Sequence, residues 1–88
     1  MNFLKGKDNF YLNNDNNEII AQIIFDEDDN TITINKTLVD ESMAGQGIAG
    51  KLVDRVVEKA REEKKKIIPI CKFAKARLEG DEKYSDVL

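Results

Sequence analysis

Residues 31–71 read TITINKTLVDESMAGQGIAGKLVDRVVEKAREEKKKIIPIC, and the spacing of apolar residues changes twice along them. Thr31-Ile32-Thr33-Ile34 alternates and continues towards Leu38, the pattern of a half-buried strand over 31–38. Ile48, Leu52, Val53, Val56, Val57 and Ala60 then recur at helical spacing, with Lys51, Asp54, Arg55, Glu58, Lys59 and Glu62 on the other face. That stripe predicts a helix over 46–63, which loses its pattern in Glu62-Glu63-Lys64-Lys65-Lys66. Ile67-Ile68-Pro69-Ile70-Cys71 has the composition of a short buried strand, and Pro69, lacking an N–H, leaves one side of it unpaired. A strand–helix–strand crossover is right-handed and makes its two strands parallel. The loop after the first strand and Cys71 at the end of the second therefore share the carboxyl edge of the sheet, where ligands bind in open α/β sheets.

Working outward, the chain before residue 31 is an antiparallel meander. Phe10-Tyr11-Leu12 is a short strand closed by the polar run Asn13 to Asn17, whose residue types tolerate left-handed backbone and close their own turns. Ile19 to Phe25 is apolar on both faces apart from Gln22, as a central strand is, and Asp26 to Asn30 is a second turn. Beyond Cys71, the segment Lys72 to Glu79 carries Phe73, Ala74, Ala76 and Leu78, a short helix stopped by Gly80, and Tyr84 to Leu88 forms a tail. The expected fold is one α+β domain over residues 1–88. Its sheet is mixed, largely antiparallel and three- to four-stranded, with one long crossover helix and a short C-terminal helix.

Composition excludes several classes of function. With 88 residues, 41% apolar and 35% charged, the chain suits a single globular core. Its longest apolar runs fall far short of the roughly 20 residues a bilayer needs, so no membrane association is expected. A net charge of -3, with cations interleaved among acids along Lys51 to Lys66, gives no case for nucleic acid. One cysteine cannot form an internal disulfide and no secretion signal is visible, which together suit a cytoplasmic protein. The absence of histidine removes Ser–His–Asp catalysis and His-based zinc sites. Asp26 to Asn30 lacks the spacing and the glycine of a calcium loop, so no metal is expected.

The loop Ala44-Gly45-Gln46-Gly47-Ile48-Ala49-Gly50-Lys51 is where the chain points to a ligand. Glycines between a strand and a helix let backbone N–H groups approach an anion, and the helix N-terminus favours phosphate. Gly45-x-Gly47-x-x-Gly50 matches the dinucleotide fingerprint, but the acidic residue that fingerprint needs after the next strand is replaced by Cys71-Lys72. Gly45 to Lys51 nearly matches a nucleotide P-loop, but Leu52 stands where a magnesium-binding hydroxyl is required. Close packing of the helix on the sheet is the purely structural explanation of the same glycines.

Val39, four residues, then Ala44 to Ala49 ahead of an amphipathic helix resembles the acetyl-CoA pyrophosphate loop of the GNAT N-acetyltransferases. Gly47 and Ala49 fill that family's small-residue positions, and Ala44 stands where it has Arg or Gln. Ile67 to Phe73 with Pro69-x-Cys71, followed by Glu82-Lys83-Tyr84-Ser85-Asp86-Val87, is similar to its small YjdJ-type branch. The resemblance spans roughly residues 18 to 88. It implies acetyl-CoA as cofactor, held by Val39, Ala44, Gly45, Gln46, Gly47, Ile48, Ala49, Gly50 and Lys72. It also implies acetyl transfer to an amine, a small molecule or a peptide, that the sequence does not identify. That branch often has a His three residues before Val39, where this chain has Lys36, the counterpart catalytic position. A non-catalytic acyl-CoA-binding, sensing or interaction module is the alternative that Lys36 and Ala44 raise. Oligomeric state is not legible.

Cys71 is open to two explanations. A lone cysteine is most often a small buried hydrophobe. However, the end of a strand, a following helix N-terminus and Lys72 beside it all favour thiolate, the form that could accept an acyl group. If Cys71 only packs, a bound amine attacks directly and needs a base, for which Lys36, Glu82 and Tyr84 are the candidates.

Overall fold

Asn14 and Asp28 shape the first half of the chain. Asn14 Oδ1 accepts the N–H groups of Asn16 and Glu18, at 2.9 and 3.0 Å, and Asn17 sits in left-handed backbone at φ 60°. Asp28 Oδ1 accepts the N–H groups of Asn30 and Thr31 and the Thr31 hydroxyl, which accounts for the acidic run as a turn. Among the described residues no group of carboxylates, cysteines or histidines is placed to hold a metal.

The computed structural model describes residues 2–88. Its sheet has five strands in sequence order: β1 (Leu4–Lys5), β2 (Asn9–Asn13), β3 (Ile19–Glu27), β4 (Thr31–Val39) and β5 (Lys66–Pro69). The first four pair antiparallel and β5 pairs parallel to β4, with α1 (Ile48–Glu63) crossing between them and α2 (Lys72–Glu79) following. This is the α+β architecture expected, with one strand more than the three or four anticipated. The addition is β1, two exposed edge residues paired Leu4↔Tyr11 and Lys5↔Phe10, too short to carry any period.

One side of the sheet and the apolar stripe of α1 make the core. Phe10, Ile23, Phe25, Ile32 and Ile34 meet Leu52, Val53, Val56 and Val57, all essentially without solvent contact. The tail docks rather than frays: a 3-10 turn over Glu82–Val87 buries Tyr84 and Val87 in the same cluster. Lys59 is the one charged residue buried among those described, and its ammonium is met by Glu63 at 2.5 Å and Glu27 at 3.3 Å.

A β-bulge in β4 decides which side chains reach the site. On β3, Ile24 and Phe25 are consecutive, yet their partners on β4 are Lys36 and Ile34, so Asn35 is an extra residue. Ile32 and Ile34 face the core before it. After it the alternation is inverted, and Thr37 and Val39 take that side, opposite the buried Ile23 and Ala21. Lys36 and Leu38, which unbroken alternation would turn inward, are exposed.

Candidate functional site

Pairing between β4 and β5 stops where the bulge begins. The last registered pair is Ile34↔Pro69, and the Ile34 carbonyl then accepts the N–H groups of both Ile70 and Cys71, at 3.0 and 3.1 Å. That shared acceptor turns the chain out of the sheet and into α2, while β4 runs on to Val39. The expected strand over 67–71 is therefore shorter, and Cys71 is the residue that caps α2. A gap opens between the second half of β4 and the start of α2, with Cys71 at its base.

In that gap the Cys71 thiol donates to Thr37 Oγ1 at 3.5 Å. Burial on its own would push the thiol up, but it is outweighed. The Thr37 hydroxyl and the amide N–H groups of Ala74 and Phe73 favour negative sulfur and hold Cys71 below its ordinary range. Sequence reasoning missed Thr37 because only the bulge turns it towards Cys71. For the same reason the structure does not bring Lys36 to Cys71: it pairs with Ile24 on the opposite face. Tyr84 is also committed elsewhere. Its hydroxyl donates to Asp54 Oδ1 at 2.5 Å, and burial followed by the Asp54 carboxylate pushes its pKa up, which disqualifies it as a base near neutrality. Glu82 lies exposed in the C-terminal turn.

The glycine loop forms a cleft of about 300 Å³ beside this gap, lined by Val39, Met43, the loop itself, Phe73 and Arg77. Gly45 and Gly47 have φ of 81° and 71°, the left-handed region that side chains other than glycine adopt at a cost. A Cβ on either would meet nothing within 4 Å, so backbone conformation explains these two glycines and close packing does not. Gly47 caps α1 without a side-chain hydrogen bond, and the first bond of the helix runs from Lys51 N–H to the Gly47 carbonyl. The N–H groups of Ile48, Ala49 and Gly50 belong to the first helical turn, which has no intrahelical acceptors. Ile48 is buried, so only its backbone can face the cleft, and the side chains of Gln46 and Lys72 are exposed. Val39, Ala44, Gly45, Gly47, Ile48, Ala49 and Gly50 are thus brought together, whereas Gln46 and Lys72 do not line the cleft.

Gly50 differs from the other two. It is buried, and a Cβ there would lie 2.7 Å from Arg77 Nη1. The Arg77 guanidinium occupies that space, paired with Asp54 through Nε at 3.1 Å and Nη2 at 2.9 Å. Nothing in the sequence around Arg77 linked it to a loop 27 positions upstream, since only the packing of α2 against α1 joins them.

A family model described as GCN5-related N-acetyl-transferase matches residues 9–87. The chain belongs to that family. It is also similar to a GCN5-like protein from Staphylococcus aureus assigned as an N-acetyltransferase, whose solution structure is known. The two are 41% identical, with a TM-score of 0.81 over 98% of this chain and 85% of that one. A GNAT family acetyltransferase from Elizabethkingia anophelis, solved with acetyl-CoA bound, matches 61% of this chain and 37% of its own length. There the identity is 34% and the TM-score 0.51. No protein of curated function matches. The GNAT-like fold is therefore established and the chain is one of an acyltransferase family, which removes the dinucleotide and P-loop explanations of the glycine loop. No helix among the described residues is long and apolar enough to cross a membrane.

Proposed function

We propose that this chain binds acetyl-CoA and transfers its acetyl group to an amine, with Cys71 as the residue that first accepts it. The observation that carries this is a cleft formed by two left-handed glycines and a helix N-terminus without a side-chain cap, whose wall includes Val39 and Phe73. Thr37 and Cys71 do not line it but stand two residues from those two. The backbone of residues 44–50, with Val39 at its border, suits the pyrophosphate, and the open space above Gly45 and Gly47 accommodates it. The relative solved with acetyl-CoA supports this choice of cosubstrate. Acetyl-CoA supplies an activated thioester carbonyl.

Cys71 attacks that carbonyl as thiolate; the bond from carbonyl carbon to the departing sulfur breaks and the acetyl group rests on Cys71 Sγ. Attack by the acceptor amine then re-forms the Cys71 thiolate, and the amine's proton leaves to the released CoA thiolate or to water. Thr37, whose hydroxyl can turn its proton towards sulfur, steadies the thiolate at both ends of the cycle. Cys71 is favoured over direct attack because Tyr84 is held protonated by Asp54 and Lys36 faces away. The Pro69-x-Cys71 segment and the Tyr84-containing tail support assignment to the small YjdJ-type branch, and the single cysteine supports a cytoplasmic setting.

Calorimetric titration with acetyl-CoA and with desulfo-CoA tests the proposal. Both ligands should bind, and at 100 times its dissociation constant a ligand should add about 2.7 kcal/mol to stability, several degrees in a domain this small. Gly47→Glu, which sets a carboxylate and its bulk in the phosphate position, should abolish binding while the far-UV spectrum stays native. Silence towards both ligands at millimolar concentration would remove the cofactor assignment, and retained affinity in Gly47→Glu would move the phosphates elsewhere.

A further inference from the structure

We infer that Arg77 is a pyrophosphate-binding residue, which donates from α2 the cationic contact that Ala44 withholds from the loop. This rests on the acetyl-CoA assignment above and extends it to a helix that the loop motif does not include.

Four observations converge on Arg77. It carries the only formal charge among the described residues lining the cleft, whose other members are apolar or glycine. Its guanidinium lies against Gly50, in the first turn of α1, so it sits beside the same unpaired amides that face the phosphate position. Gly50 lacks the Cβ that would displace it: at 2.7 Å from Nη1 and 2.9 Å from Cζ, a methyl group there would require the guanidinium to move. Finally, the guanidinium is held in place. Asp54 takes Nε and Nη2, Tyr84 braces Asp54 through its hydroxyl, and the Tyr84 ring lies 6.0 Å from the Arg77 carbon. Those contacts leave Nη1, the nitrogen nearest Gly50, without a carboxylate partner.

The Asp54 carboxylate cancels much of the long-range field of Arg77. What remains is directional: two N–H bonds fixed at the mouth of the cleft, where a planar fork suits a phosphate oxygen and a lysine would not. A polar group positioned before the ligand arrives loses little entropy on binding. Asp54 and Tyr84 are accordingly positioning residues. The tail therefore reaches the site through a chain of contacts, Tyr84 to Asp54 to Arg77, without itself touching ligand.

NMR titration of the intact chain with three ligands tests the inference: acetyl-CoA, its 3′-dephospho form, and acetyl-pantetheine, which lacks the pyrophosphate. Arg77→Gln should weaken the first two by about tenfold or more, as loss of a charge-assisted hydrogen bond does, and leave acetyl-pantetheine within about twofold. In the unsubstituted chain the Arg77 Nε–H resonance should shift with the two pyrophosphate ligands only. Gly50→Ala covers the case in which Arg77→Gln does not fold. It improves helix propensity while pushing the guanidinium aside, and it should show the same selective loss. Unchanged acetyl-CoA affinity in a folded Arg77→Gln chain, or in Gly50→Ala where only that variant folds, overturns the role. So does an equal loss for all three ligands, and a loss confined to acetyl-CoA would place Arg77 on the 3′-phosphate instead. If the unsubstituted chain binds none of the three, the cofactor assignment itself fails and this inference falls with it.

Discussion

The proposed covalent route rests on Cys71, and the surroundings of its thiol depend on one neighbour. Thr37 lies 3.5 Å away only because Asn35 is an extra residue in its strand. Incubation with acetyl-CoA should add one acetyl group to Cys71, labile to hydroxylamine, and Cys71→Ala should abolish both adduct and turnover while leaving cofactor affinity nearly unchanged. Cys71→Ser keeps the size and a hydrogen-bonding group but not the easily formed thiolate, so it should behave as Ala does in turnover. Undiminished turnover in folded Cys71→Ala would eliminate the covalent route. The glycines at 45 and 47 and the cysteine after a short strand were legible in the sequence as parts of the candidate site, because what singles them out is local chain geometry. Thr37 and Arg77 were not. The first depends on a bulge that no composition signals, and the second on the contact of two helices.

At the scale of elements, periodicity located the helix and the strands well, since each buries one face against the core. It failed where regularity itself breaks. Alternation through Ile32 and Ile34 turns Lys36 and Leu38 inward, whereas Asn35 reverses the strand and leaves Leu38 half exposed. Asn35 is suited to the irregular position: its side-chain amide donates to Asp26 on the adjacent strand at 2.9 Å. The end of α1 shows a different compromise. Lys64 follows the helix in left-handed backbone at φ 57°, and its N–H bonds the Ala60 carbonyl. A side chain in that conformation costs roughly 1 kcal/mol, and glycine is the residue most often found there. Lys64→Gly should therefore raise stability by about 0.5–1 kcal/mol, seen as a higher urea midpoint at unchanged slope. A lower midpoint would mean that the Lys64 side chain makes a contribution its exposed position does not suggest.

Across the whole molecule, the net charge of -3 conceals how many acids are engaged in holding the fold. Glu27 is held below the usual carboxylate range first by the hydrogen bond from Lys65 and then, against partial burial, by Lys59. Glu63 is lowered by the same two lysines, and Asp86 by Arg61. At Asp54, burial works in the opposite direction but is outweighed by Arg77 and Tyr84. These contacts join the end of β3 to the C-terminal end of α1, and α2 and the tail to the middle and end of α1, so they tie the helix to the sheet and the C-terminal segments to the helix. A carboxyl whose folded pKa is depressed contributes stability above its unfolded value, and that contribution fades as pH falls through the folded value. In that interval the unfolded chain binds more protons than the folded one. Stability should accordingly be level from about pH 6 to 8 and fall between about pH 5 and 3. At the alkaline end the sign reverses: Lys59 and Lys65 have raised pKa values, so what they contribute is lost only as pH climbs beyond the ordinary lysine range. Thermal midpoints measured from pH 2.5 to 8 at low salt check the acid limb, and Glu27→Gln should make it shallower by removing one of the two carboxylates that Lys59 and Lys65 share. Identical acid limbs in the two proteins would show that Glu27 ionises as freely in the folded chain as in the unfolded one, and that Lys59 is satisfied by Glu63 alone.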